Sequence, residues 1–139
     1  MVYFVSGHRD LSQEEFDKVY KPELEKILKM DNNARFVIGD YWGVDEMAQN
    51  FLAEKGLGRE VTVYHMFDQP RVCVSDKFLK KGGFMGDEER DAAMTRDSSI
   101  DVAFVRPGKR NSGTAQNIVR RYEIQFLAKE KKNKRVDLI

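Results

Sequence analysis

The chain has 139 residues, enough for one domain with a modest core, and 41% are hydrophobic, which excludes an intrinsically disordered polypeptide. Its 24 basic and 23 acidic residues leave a formal charge of +1, without the basic excess that a general grip on nucleic acid needs. One cysteine, Cys73, excludes an internal disulfide, and with two histidines it is too little for a structural zinc site.

The apolar runs are too short to span a bilayer and no secretory pattern opens the chain, so a reducing, cytoplasmic setting is the expectation. Residues 2–6 read as a buried strand closed by a small turn residue. Ser12-Gln13-Glu14-Glu15 has capping-box spacing and starts a helix. Phe16, Val19, Tyr20, Leu24, Ile27 and Leu28 then mark one apolar face as far as Met30, and Pro22 inside that pattern predicts a kink or break near Tyr20–Lys21. A second strand covers 35–38. A helix carrying Val44, Met47, Ala48, Phe51 and Leu52 follows, stopped by Gly56 and Gly58. A third strand covers 60–65. The stretch 66–86 is long and irregular, as in a functional loop, a lid or a poorly ordered segment. A helix over 87–97, a fourth strand over 101–105 and a final helix over 114–129 complete the pattern, and the tail 135–139 either adds a short strand or frays.

Strands alternating with helices imply one α/β domain over 1–139, a Rossmann-like open parallel sheet with helices on both faces. The expected strand order is about 3-2-1-4, with a possible extra edge strand. In such sheets the ligand crevice opens at the C-terminal strand ends where the order reverses. The two turns falling there are Ser6-Gly7-His8-Arg9 and Asn111-Ser112-Gly113-Thr114. The second opens a helix, so its free amides and the helix dipole suit an anion, with Lys109 and Arg110 beside it. The turn after strand two, with Gly39, Trp42, Gly43 and Asp45, opens onto the same crevice. Each residue also has a plainer reading: a tight turn for Gly7, a surface charge for Arg9, a hydrogen-bonding loop residue for His8, core cover for Trp42, and a helix-start carboxylate for Asp45. Arg90 either aims at the crevice or pairs with Asp87 or Glu89.

The turns SGHRD, GDYWGVDEMAQ, ERDAAMTRDSS and NSGTAQN occur in the order seen in the SLOG superfamily, and over residues 2 to 127 the chain resembles its YspA-like branch. Gly7 and Arg9, then Gly39, Gly43 and Asp45, then Arg90, Asp91 and Met94, then Gly113, Thr114 and Ala115 carry the resemblance. It implies a Rossmann-like fold that binds nucleotides or nucleotide-derived ligands. The superfamily also includes the Lonely-guy phosphoribohydrolases and the Smf/DNA-processing protein A family. Lonely-guy-type hydrolases have a glutamate three residues after the threonine of the last turn; here that position is Asn117, and an amide is no base or nucleophile.

Three functions follow as expectations. The first is nucleotide binding, with Ser6, Gly7, His8, Arg9, Asn111, Ser112, Gly113 and Thr114 around the phosphate, Gly39, Gly43, Asp45 and Arg90 around the crevice, and Trp42 or Tyr41 against the base. The second is cleavage of a nucleotide N-glycosidic bond, with Asp45 or Glu89 as the catalytic anion and His8 or Asp10 handling protons; Asp10 and Asp40 are further carboxylate sources. The third, against the charge balance, is single-stranded nucleic-acid binding along Lys109, Arg110, Arg120 and Arg121. No metal and no cofactor is implied. The family resemblance and the apolar residues on more than one face of the last helix predict a homo-oligomer.

Overall fold

The structure, a computed structural model, describes residues 1–109 and 112–137, with the side chains of 132–137 left aside. Its elements are β1 (Val2–Val5), α1 (Gln13–Met30), β2 (Arg35–Gly39), α2 (Val44–Glu54), β3 (Val61–Tyr64), β4 (Leu79–Lys81), α3 (Asp87–Arg96), β5 (Ile100–Val102) and α4 (Gly113–Asp137). They form an all-parallel five-stranded sheet in the order β4-β3-β2-β1-β5. The α/β class and the open parallel sheet are those expected, and β3, β2, β1 and β5 stand in the anticipated order. The extra edge strand differs. It is β4, from within the 66–86 stretch, whereas the tail residues 135–137 belong to α4. Residues 138 and 139 lie outside the described residues.

Successive strand residues face opposite layers. Tyr3, Val5, Phe36, Ile38, Val61 and Val63 join Phe16, Tyr20, Leu24, Ala48, Phe51 and Leu52 in one core under α1 and α2. Phe4, Val37 and Tyr64 point the other way, toward Ala93 and Met94 of α3. A parallel sheet buried on both sides needs such near-continuous apolar strands.

Helix α1 begins as expected. The Ser12 hydroxyl accepts from Glu15 N at 3.1 Å and Glu15 Oε1 accepts from Ser12 N at 3.3 Å, a reciprocal capping box. Of the kink or break expected near Tyr20–Lys21, the break does not occur: the helix runs on through Pro22, from Gln13 to Met30. Lys18 and Pro22 are both exposed, so the Lys18 carbonyl that loses a donor faces water.

Candidate functional site

The strands β1 and β5 are neighbours, and their chains separate beyond Ser6, whose N–H donates to Val102 O at 3.1 Å. The gap is bridged by one hydroxyl from α1. Tyr20 Oη donates to Ser6 O at 2.7 Å and accepts from Phe104 N at 3.2 Å. Burial pushes the Tyr20 hydroxyl up to about 12, so it stays protonated and can donate. Gly7 makes this approach possible, because a Cβ there would run into the Tyr20 hydroxyl and Val44. The crevice therefore opens at the point where the strand order turns.

A cavity of about 410 Å³ occupies that point. Ser6, Gly7, His8 and Arg9 line it from the first turn, and Lys109, Ser112, Gly113 and Thr114 from the last. Ser112 caps α4: its carbonyl accepts from Gln116 N at 3.0 Å and its hydroxyl from Ala115 N at 3.2 Å. That leaves the amides of Gly113 and Thr114, in the first turn, with no partner among the described residues. The Ser6 hydroxyl is likewise buried and unpaired among the described residues. A cavity bordered by unpaired donors suits a ligand rich in acceptors.

His8 has a fixed role in this wall. Its Nε2 accepts from Arg106 N at 3.1 Å, so the neutral ring carries its proton on Nδ1. Burial, and then the Arg106 charge, lower its pKa and favour that neutral form. The Arg106 guanidinium is held in turn by Asp10 at 2.9 Å and Glu15 at 3.0 Å. Asp10 is thus engaged in a clasp between the two turns.

The remaining wall is acidic and cationic at once. Gly39 lets two groups close in: a Cβ on it would lie 2.6 Å from Asp45 Oδ2 and 3.3 Å from Arg90 Cζ. Asp45 accepts from Tyr41 N at 3.1 Å. Its burial pushes the carboxyl up to about 7 despite the Arg90 charge nearby. Arg90 donates through Nη1 to Asp40 at 2.8 Å and through Nε and Nη2 to Asp91 Oδ1 at 3.1 and 3.0 Å. Asp91 is raised by burial against the pull of Arg90. Asp40 is fully buried, which alone would raise it, but hydrogen bonds from Arg71 and the two arginine charges hold it below the usual carboxylate range. Arg71 also lies over the Tyr41 ring, 4.6 Å from its centroid, and Arg9 donates to the Tyr41 hydroxyl at 3.3 Å. The edge-on pair Tyr41 and Trp42 forms an aromatic rim, with Trp42 53% exposed.

The structure thus brings together Ser6, Gly7, His8, Arg9, Gly39, Trp42, Asp45, Arg90, Ser112, Gly113 and Thr114 around one cavity. Two expected site residues stand elsewhere. Glu89 is exposed and accepts from Met85 N at 2.8 Å, so it serves the start of α3, outside the cavity lining. Gly43 is the N-cap of α2, with φ +75°, and lies outside the lining; that φ favours glycine, and a Cβ there would run into the Arg9 backbone. Asn111 lies outside the described residues, as does Arg110. Arg90 pairs with Asp40, Asp91 and Asp87, not with Glu89. Arg121 is buried against α3 and β5, which removes it from any exposed basic stripe.

Asp91 enters the sequence reading only through the resemblance, with no role at the site, and Arg71 does not enter it at all. Asp91 lines the cavity, and a Cβ on Gly113 would lie 4.0 Å from its Oδ2, so this carboxylate faces the start of α4. No sequence pattern marks Arg71, whose partner Asp40 is 31 residues away. Among the described residues no helix is long and apolar enough to cross a membrane. Protein-family models, curated proteins and solved structures were compared with the chain, and none matches it.

Proposed function

We propose that the cavity binds a nucleotide or nucleotide-derived ligand, its phosphate seated between the turns after β1 and β5. One observation carries this reading: two glycine turns about a hundred residues apart in sequence line one cavity, where α4 presents unpaired amides. The buried, unpaired Ser6 hydroxyl and the cations of Arg9 and Lys109 add donors for the same anion. Tyr41 and Trp42 offer a flat surface for a base. A reducing, cytoplasmic setting suits the free Cys73.

The test is calorimetric titration with the common nucleoside monophosphates, with inorganic phosphate alone as reference. At least one nucleotide binds, and Arg9→Ala with Lys109→Ala weakens it roughly tenfold or more. If none binds and native mass spectrometry of the purified protein finds no retained nucleotide, the reading fails.

A second reading, cleavage of the N-glycosidic bond of a nucleoside monophosphate, is favoured by Asp45. Held near 7, this carboxyl keeps a proton that a departing base would need, and Asp91 supplies a nearby anion for the ribosyl cation. Asn117 lines the cavity where the hydrolases it resembles carry a glutamate, and its Oδ1 accepts from Arg120 at 2.6 Å. Chromatography for free base after incubation with each nucleotide separates the two readings: binding without release leaves the first alone.

A further inference from the structure

Helix α4 has two unlike sides. Thr114, Asn117 and Arg121 are buried, and Arg121 donates to Thr95 O, Ser98 O and Asp101 Oδ1, tying the helix to α3 and β5. On the opposite side Ala115, Val119, Tyr122 and Phe126 follow at intervals of four, three and four, the spacing of a seam between paired helices. Val119 is 54%, Tyr122 68% and Phe126 62% exposed. The helix also outruns its support: α3 has 10 residues and α4 has 25. From Tyr122 through Lys131 every side chain is exposed. An isolated helical stretch of that length is marginal in water, so its apolar side calls for a cover.

We propose that this seam is a homodimer interface, in which α4 of a second copy packs along Val119, Tyr122 and Phe126. The flanking positions 116, 118, 123 and 125 are Gln, Ile, Glu and Gln. With one charge among four, they present no field that would select an oppositely charged partner, whereas a heptad-spaced apolar stripe is complementary to itself. Val119, Tyr122 and Phe126, with Leu127 on their flank, offer on the order of 400 Å² per copy. Two copies then bury about 800 Å², the size of a weak and transient association, so the dimer dissociates on dilution.

Sedimentation velocity on the full chain, from low to high micromolar concentration, tests this. The wild type passes from monomer to dimer as concentration rises. The double variant Val119→Glu with Phe126→Glu stays monomeric, with the wild-type circular dichroism expected of changes on an exposed face. In the wild type, amide hydrogen exchange over residues 119–127 slows as concentration increases, a readout that needs no variant. A protein that is monomeric throughout, with concentration-independent exchange, would assign the seam to some other partner and overturn the proposal. A dimer that persists in the double variant would overturn it equally.

Discussion

The two faces of the sheet are made of different material. Among the described residues, seventeen buried apolar residues form one cluster beneath α1 and α2, and five lie beneath α3. The space on that second side is shared with buried charge: Arg90 between Asp40 and Asp91, and Arg121 beside Asp101. Apolar packing is non-directional and stabilises in proportion to area. Buried ions must be satisfied bond by bond, and their desolvation offsets much of their mutual attraction. The charged side is also the one that borders the cavity, through Arg90, Asp91 and Met94. The first face holds the sheet together, and the second is where an occupant would be recognised.

The largest expected effect comes from breaking the charged side. Arg90→Met strips Asp91 of its guanidinium partner and leaves Asp40 to Arg71 alone. A buried pair broken on one side costs about 3–5 kcal/mol, read as a lower urea midpoint at unchanged slope. A loss below about 1 kcal/mol would mean that these charges do not depend on one another, and the contrast between the faces would dissolve. Next is Leu24→Ala on the apolar face, where the side chain is fully buried. The lost contacts and the remaining void cost about 3 kcal/mol. Nucleotide affinity of the folded variant should equal that of the wild type. If its affinity fell tenfold or more, the division of labour would be wrong.

Much of the apolar face is legible in the sequence, because its rules are periodic. Phe16, Tyr20, Leu24 and Ile27 recur at helical spacing, Ser12 and Glu15 stand at capping distance, and the short apolar runs became β1, β2 and β3. The glycine turns were legible because a tight approach has few chemical solutions: Gly7 against Tyr20, Gly39 against Asp45. The charged side follows no such period. Arg71 reaches Asp40 from an irregular stretch, and only the fold brings them together. Strand β4 is three residues, all exposed, recruited by backbone pairing to β3 with no apolar alternation to announce it. Glu89 and Asp91 both adjoin Arg90 in sequence, and adjacency does not tell which of them faces the cavity. Two residues on a helix point roughly 200° apart, so when one faces the cavity the other faces water.

The finest test concerns Asp45, at the boundary between the faces. Its carboxyl is pushed up to about 7 in the folded chain from the ordinary 3.8, chiefly by burial. Between those values the folded protein binds a proton that the unfolded chain has released. Stability from this group is therefore complete below about pH 4 and drains away as pH rises toward about 7, by at most about 1.4 kcal/mol per pH unit. Asp45→Asn removes the titration while keeping the shape, so its melting temperature should gain on the wild type steadily across that window and stop gaining above it. His8, whose pKa is lowered by burial, adds a slope of the opposite sign, but it is common to both proteins and cancels in their difference. Parallel melting curves from acid to neutral pH would mean that Asp45 titrates alike in the folded and unfolded chain and is ionised at neutral pH. The cavity would then have no proton to give at this position, and the bond-cleaving reading would lose its donor while the phosphate-binding reading stood untouched.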